Sequence, residues 1–196
     1  MNVPTRLTVL RIVLSPVFFV VWFFPLWTGK GFFLSAVLLI VLFIVQEVTD
    51  VLDGAIARKQ GLVTDLGKVL DPFADVMSRM TFFICFTGTG FMPLWIFTLL
   101  IYRELAMTFL RLLMIRQGVA LAASIWGKLK AVVYNIAGIA GVAIVALSRF
   151  GVPGDVVDIL KKVALYIFLL AAFSSMASFA TYAVRALRLS TPSNGD

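Results

Sequence analysis

Long apolar runs broken by short polar punctuation dominate this chain. Six runs fall at about 7–27, 32–57, 67–87, 92–115, 125–147 and 156–186. The breaks between them carry helix-stopping chemistry: Thr28-Gly29-Lys30-Gly31, Arg58-Lys59-Gln60-Gly61, Gly88-Thr89-Gly90 and Arg116-Gln117-Gly118. Each run approaches the roughly 20 residues that carry an α-helix across a hydrocarbon core. None alternates with the period of two that a membrane β-barrel strand needs. The pattern predicts an all-α integral membrane protein with six transmembrane helices. There is no internal repeat, so residues 1–189 read as one transmembrane domain and 190–196 as a polar C-terminal tail. The opening stretch has the charge and greasiness of a signal peptide. It lacks a small-x-small site before Trp22-Phe23-Phe24-Pro25, and reads as the first span.

Composition sharpens the class. Hydrophobic residues make up 61% of the chain and charged residues 14%, against about 45–50% and about 25% in ordinary globular proteins. The single cysteine, Cys85, lies in an apolar run and excludes a disulfide framework. The chain has no histidine, which excludes a Ser-His-Asp hydrolase and any lipid enzyme with a histidine nucleophile. The net charge of +7 sits in Lys and Arg flanking the runs and implies no nucleic-acid partner. With both termini on one side, that side takes eleven basic residues: Arg6, Arg11, Arg58, Lys59, Lys68, Arg111, Arg116, Lys128, Lys130, Arg185 and Arg188. The other side takes four: Lys30, Arg149, Lys161 and Lys162. The positive-inside bias then predicts a multi-pass protein of the plasma membrane with both termini in the cytoplasm. Arg79 and Arg103 fall mid-span and are candidates for function or for pairing with Glu104.

The acids are few and concentrated. Asp50 and Asp53 are three residues apart, and Asp71 and Asp75 are four apart. On helices each pair shares a face. Two such helices joined by a short connection would bring four carboxylates together. Like charges at close range need a counter-charge, and hard divalent cations suit an all-oxygen donor set. Gly54, Ala57 and Gly67 leave space beside the acids, and Arg58 is placed to fork onto a phosphate. A two-metal site beside a slot, with a cation at hand, is an arrangement for phosphoryl transfer. The bland alternative is a helix-end charge network with Arg58, Lys59 and Lys68. Four acids and two glycines at these spacings weigh against it.

The run Asp50-x2-Asp53-Gly54-x2-Ala57-Arg58-x8-Gly67-x3-Asp71-x3-Asp75 resembles the signature of the CDP-alcohol phosphotransferase family at every fixed position. The resemblance implies six transmembrane helices, a homodimer in the lipid bilayer, and a cytoplasm-facing dinuclear site. It implies two divalent cations, Mg²⁺ or Mn²⁺, held by Asp50, Asp53, Asp71 and Asp75, with Asp75 as the catalytic base. It also implies a CDP-binding set of Asp53, Gly54, Ala57, Arg58, Thr64, Gly67 and Thr8. Further segments resemble the phosphatidylglycerophosphate synthase branch: Asn2-Val3-Pro4 to Arg11, Arg103-Glu104 to Arg111, and Gly127-Lys128-Leu129-Lys130. That branch implies CDP-diacylglycerol and glycerol 3-phosphate as substrates, with Arg103, Arg111, Lys128 and Lys130 around the acceptor phosphate. The chain leaves the branch's pattern at Thr5, Val76, Ala131 and Asn135. Val76, Ala131 and Asn135 are positions where a sister acceptor (inositol phosphate, another polyol or phosphatidylglycerol) could be selected instead. A transporter or membrane scaffold is the non-enzymatic alternative; it has no need of this signature.

Overall fold

The computed structural model describes residues 3–60, 65–116 and 125–190. They form six helices: α1 (Val3–Thr28), α2 (Phe32–Gln60), α3 (Asp65–Gly88), α4 (Leu94–Arg116), α5 (Ile125–Arg149) and α6 (Gly154–Ser190). The breaks fall where the sequence turns to glycine. Gly29 and Gly31 take φ of 69° and 77°, a region open to glycine without a Cβ penalty. The Gly29 N–H closes on the Pro25 carbonyl at 2.9 Å and ends α1. At the end of α3, Gly90 has φ 82°, and the Phe91 and Met92 N–H groups both donate to the Phe86 carbonyl at 3.2 Å.

Helix α1 packs against both α2 and α3; α5 runs along α6; α2 touches α5; and α4 leans mainly on α6. One end of this bundle is built from aromatic rings. Phe18 lies 4.8 Å from Phe82, Phe43 5.0 Å from Phe82, Trp22 5.5 Å from Phe86 and Phe86 5.8 Å from Phe168, centroid to centroid. Pairs at these separations add to the area they bury. Helix α5 approaches through glycine: a Cβ on Gly138 would lie 3.0 Å from the Phe43 ring, and one on Gly141 would collide with the Phe86 ring.

The outer surface is apolar. Val13, Val17, Val20 and Phe24 form an exposed stripe on α1, and Val41, Ile44 and Val48 one on α2. Soluble monomers rarely expose patches of that extent, and this is a membrane protein. Among the described residues, four segments are long and apolar enough to cross a bilayer: Pro4–Thr28, Phe32–Leu52, Ile125–Arg149 and Gly154–Ala186. Helices α3 and α4, also expected to span, do not reach that measure. The reason is their charge: α3 carries Asp71, Asp75 and Arg79, and α4 carries Arg103, Glu104 and Arg111. Helix α2 continues beyond its apolar window to Gln60; Asp50 lies in the last turn of that window and Asp53 just past it. Of the predicted tail, residues 191–196 lie outside the described residues, as does Thr64.

Candidate active site

Three helices build the acidic site. Asp50 lies near the polar end of α2, Asp71 and Asp75 lie one turn apart on α3, and α1 places Arg11 between the two helices. Arg11 Nη1 donates to Asp50 Oδ1, and its Nη2 donates to Asp71 Oδ1 at 2.7 Å. The arginine side chain is 2% exposed, while Asp50 and Asp71 are 32% and 55% exposed. A buried cation thus holds two accessible carboxylates from separate helices. Two of the four acids, Asp50 and Asp71, thus meet, and Arg11 offsets the repulsion between them.

Below the carboxylates a buried polar knot fixes the arginine. Ser15 Oγ donates to the Arg11 carbonyl at 2.9 Å and approaches Gln46 Oε1 at 3.3 Å. It also shares a 3.3 Å hydrogen bond with Ser78 Oγ. The knot ties α1, α2 and α3 at one level, and buried polar groups of this kind are worth most when satisfied. Thr8 is buried on the same helix and donates to the Pro4 carbonyl at 3.1 Å. Gly67 lies one turn before Asp71. Asp53, Gly54, Ala57 and Arg58 lie on α2 past Asp50, but their side chains are outside the described residues, as is that of Lys68.

Asp75 makes a separate arm. Its Oδ1 accepts from Arg79 Nε at 2.8 Å, one helical turn on. The Arg79 guanidinium carbon lies 6.0 Å from the centre of the Tyr134 ring, and Lys130 Nζ lies 4.6 Å from the same centre. Both cations therefore use one aromatic face or edge on α5. Lys130 Nζ in turn donates to Glu104 Oε1 at 2.7 Å, and Arg103 Nη1 donates to the same oxygen at 2.9 Å. The rest of Arg103 is also engaged: Nε donates to the Ser175 carbonyl at 3.1 Å and Nη2 to Ser178 Oγ at 3.0 Å. Tyr134 and Ser175 share a 2.7 Å hydroxyl bond. A continuous polar line thus runs from Asp75 through Arg79, Tyr134, Lys130 and Glu104 to Arg103 and α6.

Of the four cations expected around an acceptor phosphate, the structure joins Lys130 and Arg103 through Glu104. Arg111 and Lys128 are exposed and belong to neither cluster. Arg103 has a nitrogen on each of three internal acceptors, so its geometry is that of a clamp on Glu104 and α6. Sequence reasoning missed the roles of Arg11 and Tyr134. Arg11 carried a signal, since it closes the segment Asn2-to-Arg11, but its charge also read as topology. Tyr134 carried none.

Among the described residues no group of three His, Cys, Asp or Glu is gathered closely enough to hold an ion. Asp50 and Asp71 do meet across one cation, their oxygens are accessible, and Asp53 follows Asp50 by one turn. Carboxylates without nitrogen or sulfur fit hard divalent ions such as Mg²⁺ and Mn²⁺ and disfavour softer metals.

Residues 1–187 match the family model described as CDP-alcohol phosphatidyltransferase. The chain belongs to that family. It is 35% identical over 153 residues to a Treponema pallidum protein named CDP-diacylglycerol–glycerol-3-phosphate 3-phosphatidyltransferase, covering 75% of this chain and 71% of the relative. A Bacillus subtilis relative of the same name is 34% identical over 142 residues, covering 69% and 74%. One from Sodalis glossinidius is 32% identical over 183 residues, covering 90% and 91%.

Proposed function

We propose that this chain transfers the phosphatidyl group of CDP-diacylglycerol to glycerol 3-phosphate, giving phosphatidylglycerophosphate and CMP. One observation carries the reading: acids from two helices of the family signature converge on Arg11, and a line of cations leads away from the third acid. The relatives named for this reaction support the choice of substrates.

Asp50, Asp53, Asp71 and Asp75 are the residues that would hold two divalent cations, Mg²⁺ or Mn²⁺. Bound there, such ions neutralise phosphate oxygens and lower the barrier to attack at phosphorus. Asp75 is the general base. Arg79 anchors its Oδ1, and Oδ2 takes the proton of the acceptor hydroxyl. The acceptor oxygen then bonds to the phosphatidyl phosphorus as the bond to CMP breaks, and CMP leaves with the electron pair. Asp53, Gly54, Ala57, Arg58, Thr64, Gly67 and Thr8 bind the CDP portion. Lys130 receives the acceptor phosphate, with Arg111 and Lys128 adding positive charge around it. Arg103 acts through Glu104 as a positioning residue.

The same reading makes the protein a homodimer of the plasma membrane with six spans and a cytoplasmic site. Helices α3 and α4 have 24 and 23 residues, which at 1.5 Å per residue is about 35 Å, enough for a hydrocarbon core of about 30 Å. The test is CMP release by purified protein given CDP-diacylglycerol, Mg²⁺ or Mn²⁺, and one acceptor at a time. Glycerol 3-phosphate should be the best acceptor. Preference for inositol 1-phosphate, serine or phosphatidylglycerol would reassign the chain to a sister activity. Movement of substrate across vesicles without CMP release would make it a transporter.

A further inference from the structure

At the end of the bundle opposite the carboxylates, a pocket of about 330 Å³ opens between the end of α1, the start of α2, the end of α5 and the start of α6. That is within the size range of small-ligand sites, roughly 300–1,000 Å³. Its polar lining includes Arg149, Lys161, Ser148 and Thr89, and its apolar wall includes Leu26 and Phe32. No carboxylate lines it.

Arg149 is the unusual member. It is half-buried, and Nη1 donates to Ser35 Oγ at 2.8 Å while Nη2 donates to the Trp22 carbonyl. Its guanidinium carbon lies 5.6 Å from the Trp22 ring centre. These partners are all neutral, and among the described residues no carboxylate pairs with it. Half-buried charges are normally paired, and a guanidinium has five N–H donors, so donors remain for an anion. Lys161 pairs with Asp158 at 3.0 Å, but that pair is exposed and neutralises little. The surroundings give the depth: Trp27 and Phe33 are exposed at the same end, where aromatic residues mark the boundary between lipid tails and headgroups.

We propose that this pocket binds the phosphodiester headgroup of an anionic phospholipid, with Arg149 and Lys161 on the phosphate and the apolar wall against the start of the acyl chains. The site is distinct from the carboxylates in place and in chemistry, since it offers cations and no acid.

The test uses the full-length purified protein in a zwitterionic detergent. Short-chain phosphatidylglycerol, short-chain phosphatidylcholine and inorganic phosphate are each titrated, and binding is followed by titration calorimetry. Phosphatidylglycerol should bind saturably. Arg149→Gln should weaken it about tenfold, the loss of one charge-assisted contact, and Lys161→Gln about threefold. Lys30→Gln, at the same end but outside the pocket, should change nothing. Arg149→Lys keeps the charge if Arg149→Gln fails to fold, and Lys161→Gln leaves the Arg149 contacts intact. Inorganic phosphate binding as tightly as phosphatidylglycerol would overturn the lipid as occupant. Equal binding by wild type and Lys161→Gln, or equal binding of phosphatidylcholine and phosphatidylglycerol, would overturn the site.

Discussion

Replacing Glu104 by glutamine tests whether the buried cluster aims Lys130. One oxygen of Glu104 accepts from Arg103 at 2.9 Å and from Lys130 at 2.7 Å, and the side chain is 8% exposed. Glutamine keeps the shape and an acceptor oxygen but removes the charge. Hydrogen bonds to a charged partner contribute about 1.5–3 kcal/mol net and are about twice as strong as neutral ones. Losing half of two such bonds costs about 2 kcal/mol. Breaking a buried ion pair outright costs about 3–5 kcal/mol, so an overall loss of about 2–4 kcal/mol is expected. The kinetic effect is selective. A misaimed Lys130 forfeits part or all of one charge-assisted bond to the acceptor phosphate, and about 1.4 kcal/mol of that is about tenfold in KM for glycerol 3-phosphate. The KM for CDP-diacylglycerol should stay within about twofold. The assay is steady-state CMP release, varying each substrate, at a temperature well below the melting point of both proteins. Glu104→Gln should add little in a Lys130→Met background, because both changes act through one contact. Equal rises in both KM values, or additive effects of the two substitutions, would refute the positioning argument.

Three further outcomes are expected. EDTA should abolish CMP release and Mg²⁺ or Mn²⁺ should restore it, with the melting temperature of the treated protein little changed; full turnover in metal-free buffer would count against the metal site. Asp75→Asn should lower kcat about 10²–10⁴-fold while CDP-diacylglycerol still binds, and near-normal kcat would move the base to another acid. Gly141→Ala should destabilise the bundle by about 1–3 kcal/mol through overpacking against Phe86, read as a lower melting temperature that Phe86→Leu partly restores; no shift would mean the ring gives way freely.

That Asp71 and Asp75 share a helix was legible because helical spacing is a local rule, and the short connection from α2 to α3 brings Asp50 near Asp71. The end of α1 was legible because Gly29 and Gly31 follow an unbroken apolar run, and a left-handed turn there needs glycine. The partners of those acids were not. Arg11 reaches Asp50 across 39 residues and Asp71 across 60, and no local pattern encodes such a pairing. Arg103 stood out as a charge within a span, and its pairing with Glu104 was among the readings open to it. Ser175 and Ser178 did not stand out, since two serines in α6 look like any small residues in an apolar helix. Helices α3 and α4 show the limit of hydropathy in the other direction. Their charges lower the apolar signal, yet Arg103 and Glu104 are buried among helices and take one another as partners.

Arg11 also explains why the metal prediction separates activity from folding. Two carboxylates on neighbouring helices repel, and without a counter-charge that repulsion would push α2 and α3 apart. Arg11 supplies the counter-charge from α1 and is itself held by burial and by the Ser15 knot. The approach of the two acids is therefore steadied by Arg11 and by the packing of three helices. The far half of α1 carries Phe18 and Trp22 into the aromatic core, so the helix that positions the arginine is fixed at both ends. A site organised this way is preformed, and its carboxylates stay partly exposed because the charge that steadies them comes from beneath. Loss of turnover on chelation with an intact melting curve is what such an arrangement produces. A parallel collapse of stability would mean that Arg11 alone does not hold the acids together.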